Sequence, residues 1–180
     1  MIILMGLAGS GKSTQGQILA KTTGRVWLSA GQVLRDTPDP EVHELQRQGE
    51  LVPDSLTIPL MMQAMAVNFA AGKDLVLDGY PRTLEQTAWM VQQAADRIEM
   101  VLKINVPRPE LIRRLELRGR ADDQTRAAIE ERFRVVETHL TEICQMLTEH
   151  GIRVKDVDGT GSIEDVQQRI IQAITEVENE

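Results

Sequence analysis

Cysteine is almost missing from this chain of 180 residues: Cys144 stands alone, so no internal disulfide can form. Long apolar runs are missing too. The longest candidate, 58–71, is interrupted by Pro59, Gln63 and Asn68, which excludes a transmembrane helix of 18 or more residues. Positive charge is in deficit, with 20 basic against 27 acidic residues and a net charge of −7. That balance argues against a surface coated for DNA, RNA or anionic lipid, while leaving room for one concentrated basic pocket. Lysine is scarce within the cations: 15 are Arg and 5 are Lys, and Arg suits a bidentate grip on phosphate. There is no repeat, low-complexity tract or linker. His43, His139 and His150 are scattered and form no triad with a Ser or Cys. The apolar start, Met1 to Met5, is short and lacks a positive flank, unlike a cleavable signal peptide. With the single Cys, it points to a cytoplasmic protein.

What is present is a regular alternation. Short apolar runs at Ile2 to Met5, Arg25 to Leu28, Leu75 to Leu77, Met100 to Val106 and Ile152 to Val157 read as strands. Between them lie amphipathic stretches near 12–22, 55–71, 84–95, 108–118, 124–150 and 162–177 that read as helices. Strand and helix in alternation imply an α/β fold with a mostly parallel sheet covered on both faces. At this length one core is expected, burying roughly 70% of the unfolded chain's surface. The least regular region is Asp36 to Pro53, punctuated by Pro38, Pro40 and Gly49, and it reads as a small excursion from that core. Met61, Met62 and Met65 are spaced either for a subunit contact or, preferably, for a core stripe.

Gly6-Leu-Ala-Gly-Ser-Gly11-Lys12-Ser13 matches GxxxxGK[ST] in full, after a predicted strand and before a predicted helix. Glycines let the backbone turn so that successive N–H groups face phosphate oxygens, and the positive end of the next helix adds to the field. Lys12 is placed to reach the β- and γ-phosphates, and Ser13 or Thr14 to offer a hydroxyl to Mg²⁺. A second apolar run, Leu75-Val-Leu-Asp78-Gly-Tyr-Pro-Arg82, ends in a carboxylate suited to stand near that ion, with Arg82 just beyond at the edge where ligands of such folds collect. Arg113, Arg114, Arg118 and Arg120 put four guanidiniums in eight residues.

These blocks, with Leu28-Ser-Ala-Gly-Gln-Val-Leu-Arg35, Gly49-Glu-Leu-Val-Pro-Asp54, Asp78-Gly-Tyr-Pro-Arg-Thr83, Arg118-Gly-Arg-Ala-Asp-Asp123 and Asp158-Gly-Thr-Gly-Ser162, resemble the adenylate kinase group of nucleoside monophosphate kinases over nearly the whole chain. The resemblance implies a P-loop NTPase fold, a three-layer α/β/α arrangement on a five-stranded parallel sheet. It implies a single domain over 1–180, with a helical acceptor-binding excursion at 29–58 and a remnant lid at 118–123. The activity implied is Mg²⁺-dependent transfer of the ATP γ-phosphoryl group to a nucleoside monophosphate. By that resemblance Gly9, Ser10, Gly11, Lys12, Ser13, Thr14, Arg114 and Gly161 serve ATP. Ala30, Arg35, Val52, Gly79, Arg82 and Gln86 serve the acceptor, with Gln86 reading its base. Lys12, Arg82, Arg118, Arg120, Arg132 and Asp78 are implied as catalytic, and Ser13 and Asp78 as the Mg²⁺ side. The partners implied are ATP, AMP and ADP, with no nucleic-acid polymer, no membrane and no zinc, in a monomer or homo-oligomer.

Four positions depart from the family pattern. The loop has Ala8 where Pro is usual and Ser13 where Gly is usual. Ala30 stands where adenylate kinases carry Thr and UMP/CMP kinases carry Ala, whereas Thr83 and Gln86 resemble the adenine-reading side; AMP is the expected acceptor, UMP or CMP the alternative. Gln32 replaces the usual Asp. Only Gly119, Arg120 and Ala121 lie between Arg118 and Asp122, shorter than the lid of short-lid relatives, so incomplete closure and some loss of ATP to water are expected. Outside enzymes, a nucleotide-binding protein that has lost turnover is the other reading, but it has no use for an acceptor clamp.

Overall fold

The five short runs become five strands, β1 (Ile2–Met5), β2 (Val26–Ser29), β3 (Leu75–Asp78), β4 (Met100–Asn105) and β5 (Val154–Asp158), in a computed structural model that describes residues 1–48, 50–119 and 126–178. They form one sheet in the order β2-β3-β1-β4-β5, and every pairing is parallel. The chain leaves β1 to build β2 and β3 on one side, then crosses to β4 and β5 on the other. β1 therefore sits at the switch point, where the connections diverge and a crevice opens beyond the strand ends.

Alternation along β1 divides the core. Ile2 and Leu4 pack with Leu19 and Ala20 of α1 (Lys12–Thr23) and with Val166 and Ile170 of α8 (Ile163–Glu178). Met1, Ile3 and Met5 pack on the opposite face with Met61 and Met65 of α4 (Asp54–Ala70), Met90 of α5 (Leu84–Ala94), and Ile143 and Leu147 of α7 (Arg126–Glu149). The sheet thus has helices on both faces, as β1 and β3, buried along their whole length, require. Met61 and Met65 belong to the core, whereas Met62 is 48% exposed.

The region from Asp36 to Pro53 is more ordered than its punctuation implies. It begins at the last residue of α2 (Ala30–Asp36) and contains α3 (Pro40–Gln48). Pro40 is the first residue of α3, where a missing N–H breaks no helical bond, and Glu41 follows at the positive helix end. Leu34, Val42 and Val52 form a separate small core there, joined by Leu45, Leu56 and Leu60. With α6 (Arg108–Arg118), whose Leu111 and Leu115 pack with Ile129 and Phe133 of α7 beside Leu7 and Ala8, the architecture is complete.

At Gly159 the backbone runs against β4: a Cβ there would lie 2.5 Å from Ile104 Cγ2 and 2.6 Å from Val106 Cγ2. Both neighbours are β-branched and stiff, so Gly159→Ala is expected to destabilise the fold by about 1–3 kcal/mol. Thermal unfolding is the measurement, with a fall in Tm of several degrees expected.

Candidate active site

The phosphate loop runs from the end of β1 to the start of α1, and two constraints fix its course. Gly6 has φ 140°, and a Cβ there would lie 2.5 Å from the Ile104 carbonyl oxygen of β4, so only glycine fits. Gly11, in the left-handed region at φ 94°, directly precedes α1, so the amino end of that helix opens onto the loop. Lys12 is its first residue; Nζ donates to the Leu7 carbonyl at 2.7 Å and to Ser10 Oγ at 3.3 Å, holding the ammonium over the loop.

Across the switch point, β3 delivers Asp78. The pairing sets Leu4 opposite Asp78, and Ser13 Oγ donates to Asp78 Oδ2 at 2.7 Å. Asp78 is only 3% exposed. A hydroxyl and a carboxylate so joined are hard oxygen donors of the kind Mg²⁺ takes. Among the described residues no cluster of three or more His, Cys, Asp or Glu could hold a metal.

A single cleft of about 1830 Å³ gathers residues from distant parts of the chain. Typical ligand pockets measure about 300–1,000 Å³, so this one has room for two nucleotides side by side. Gly9, Ser10, Gly11, Lys12, Ser13, Thr14, Asp78, Gly79, Arg82, Arg35, Arg114, Arg118 and Gly161 all line it. Ala30, Val52 and Gln86 are not among its lining residues and are buried, at 1%, 6% and 2% exposure. Arg120, the Arg132 side chain, Asp122, Asp123 and Gly49 lie outside the described residues.

The cations are braced individually. Arg82 Nε donates to the Gly79 carbonyl at 2.6 Å, and its backbone N–H to Gln86 Oε1 at 2.8 Å. Arg35 donates to Gln32 Oε1 at 2.9 Å. Arg114 donates to Glu110 Oε1 at 2.8 Å and to the Gly159 carbonyl at 3.1 Å, linking α6 to the turn that precedes α8. Hydrogen bonds from Arg113 and then Arg114 pull the Glu110 carboxyl down to about 2, so this brace stays ionic throughout any ordinary assay range.

Sequence reasoning missed two parts of this arrangement. Gln15, 3% exposed, donates from Nε2 to the Ile163 carbonyl at 2.9 Å and ties α1 to the start of α8. Asp54 accepts from Thr83 Oγ1 at 2.7 Å and Gln86 Nε2 at 2.6 Å. Tyr80 is fully buried beside this group, and burial, followed by the Asp54 charge, pushes its phenol above the ordinary value. Asp54 did stand in a recognised block, but spacing gives no sign of partners 29 and 32 residues away.

A phosphate loop at a sheet switch point, sharing one large cleft with Arg35, Arg82, Arg114 and Arg118, defines a P-loop phosphotransferase acting on nucleotides. The family model described as Adenylate kinase matches residues 4–152. Adenylate kinase of Micrococcus luteus is 36% identical, over 98% of this chain and 91% of its own length. Adenylate kinases of Mycolicibacterium vanbaalenii and Thermus thermophilus are 34% and 33% identical, each over 96% of this chain, and over 98% and 96% of their own lengths. The chain belongs to the adenylate kinase family, and is a nucleoside monophosphate kinase. No helix among the described residues is long and apolar enough to cross a membrane.

Proposed function

We propose that this enzyme reversibly transfers the γ-phosphoryl group of Mg-ATP to AMP, giving two ADP. The observation that carries the reading is the single cleft lined both by the Lys12 loop and by Arg35 and Arg82, the Ser13–Asp78 pair lying within it. Phosphoryl transfer asks little covalent chemistry of a protein; positioning and positive charge around the moving group supply most of the acceleration.

In this reading the backbone N–H groups of Gly9, Ser10 and Gly11 cradle the donor phosphates, and Lys12 supplies charge at the β- and γ-oxygens. Thr14 and Gly161 border the donor, and Arg114 stacks near its adenine. Ser13 and Asp78 would hold Mg²⁺, Asp78 through water. The ion, when bound, screens charge on the β- and γ-phosphates. Arg35 and Arg82 grip the acceptor phosphate, and Gly79 leaves room for Arg82, whose Nη2 would lie 2.9 Å from a Cβ there. Ala30 and Val52 shape the acceptor pocket, and Gln86 reads the base. Arg118, Arg120 and Arg132 neutralise the transferring group. The segment 29–58 acts as the acceptor-binding part and 118–123 as the lid.

A coupled ADP-formation assay with ATP and equal concentrations of AMP, CMP and UMP tests this. AMP is expected to be the best acceptor; a preference for CMP or UMP would replace adenine by a pyrimidine, and no product with any acceptor would reject the kinase reading. The three residues between Arg118 and Asp122 lead to a further expectation. ATP hydrolysis without acceptor should be a larger fraction of transfer than in a relative with a full lid, because water is excluded less completely. An equally small fraction would contradict it.

A further inference from the structure

Gln86 stands between two groups of fixed polarity. A carboxylate at neutral pH only accepts, so Nε2 must face Asp54, 2.6 Å away; a backbone N–H only donates, so Oε1 must face Arg82, 2.8 Å away. The amide therefore has one orientation, and a flip would set oxygen against carboxylate and NH₂ against N–H. One Nε2 hydrogen and one Oε1 lone pair remain unused among the described residues. The frame around it is closed: Asp54 also accepts from Thr83 Oγ1 at 2.7 Å, and Thr83 Oγ1, capping α5, accepts from Gln86 N–H at 3.1 Å.

Asp54 is the first residue of α4, where the chain returns from α2 and α3. Arg82 and Gln86 lie beyond β3, so the carboxylate joins the end of the acceptor excursion to the acceptor clamp without any covalent link between them.

We propose that Asp54 is a positioning residue that locks the Gln86 amide and, through it, the backbone at Arg82, so that acceptors are selected for an exocyclic amine beside a ring nitrogen acceptor. Adenine offers that pattern, with its amine facing the Oε1 lone pair and its N1 facing the Nε2 hydrogen. Hypoxanthine has the same shape and the reverse pattern, so it would leave two donors and two acceptors opposed. The inference rests on the kinase reading and deepens it.

The test is steady-state kinetics of the full chain with AMP and with IMP at saturating Mg-ATP. Asp54→Ala should raise the KM for AMP about tenfold and lower the AMP-to-IMP ratio of kcat/KM at least about fivefold, leaving the KM for ATP within about twofold. Asp54→Asn keeps an oxygen for Gln86 Nε2 and should restore most of the AMP affinity and discrimination. Where Asp54→Ala gives no folded protein, Asp54→Ser, too short to reach Gln86, takes its place. A folded variant with parental AMP affinity and AMP-to-IMP ratio would overturn the proposal, as would Asp54→Asn as impaired as Asp54→Ala. A uniform loss of kcat with both KM values unchanged would overturn it too, since that marks a lower active fraction. Absence of ADP from the parent chain with every monophosphate would instead sink the kinase reading, so the two failures are distinct.

Discussion

Replacing Lys12 by alanine should lower kcat by about 10²–10³-fold, the loss seen when one preorganised electrostatic donor is removed from a reacting centre. The ammonium is carried on the first residue of α1 and held over the loop by Leu7 and Ser10. It therefore needs little reorganisation to meet a triphosphate, and its loss removes about 3–4 kcal/mol of transition-state stabilisation. Lys12 is partly exposed and outside the apolar clusters, so Tm should stay within a few degrees of the parent. Lys12→Arg should rescue little, because a planar guanidinium cannot replace a compact ammonium in so tight a loop. The measurements are kcat in the coupled assay and a thermal melt; a folded Lys12→Ala protein within tenfold of parental kcat would contradict the role.

Arg82→Ala should act on the other substrate. Its side chain is anchored at Nε by the Gly79 carbonyl, which fixes the guanidinium at the carboxyl edge of β3. A charge-assisted contact to phosphate, lost from a partly desolvated cleft, costs about 2–5 kcal/mol. The KM for AMP is therefore expected to rise by about 10²-fold or more, with a smaller fall in kcat and an almost unchanged KM for ATP. The backbone N–H of residue 82 survives the substitution and keeps its bond to Gln86, so the AMP-to-IMP preference should persist. That separates Arg82 from Asp54, whose removal is expected to erode the preference. Unchanged AMP affinity would contradict the placement of Arg82 on the acceptor phosphate.

Much of the site was legible because its donor side is local. A strand, a glycine-rich turn, Lys12 and a helix lie within some twenty residues, and such a motif carries its geometry in its spacing. The parallel sheet was legible for a similar reason: runs such as Ile2 to Met5 and Leu75 to Leu77 are apolar on both faces and demand cover from helices. The excursion was less so. Pro38, Pro40 and Gly49 read as breaks, but Pro40 starts α3, because a proline's effect depends on where in a helix it falls. Met61, Met62 and Met65 could not be sorted by spacing alone; the packing of α4 buries the first and last and leaves Met62 at the surface.

By itself, then, the sequence determined the strand-helix alternation, the phosphate loop and its cation, and the supply of arginines against an acidic average. Those properties depend on neighbours in the chain and on composition. The tertiary structure alone decided the strand order that brings Asp78 to Ser13 across 65 residues, and the meeting of Asp54 with Thr83 and Gln86. A hydrogen bond needs its partners within about 3 Å, and only the folding of the sheet and its helices sets distances on that scale between residues so far apart.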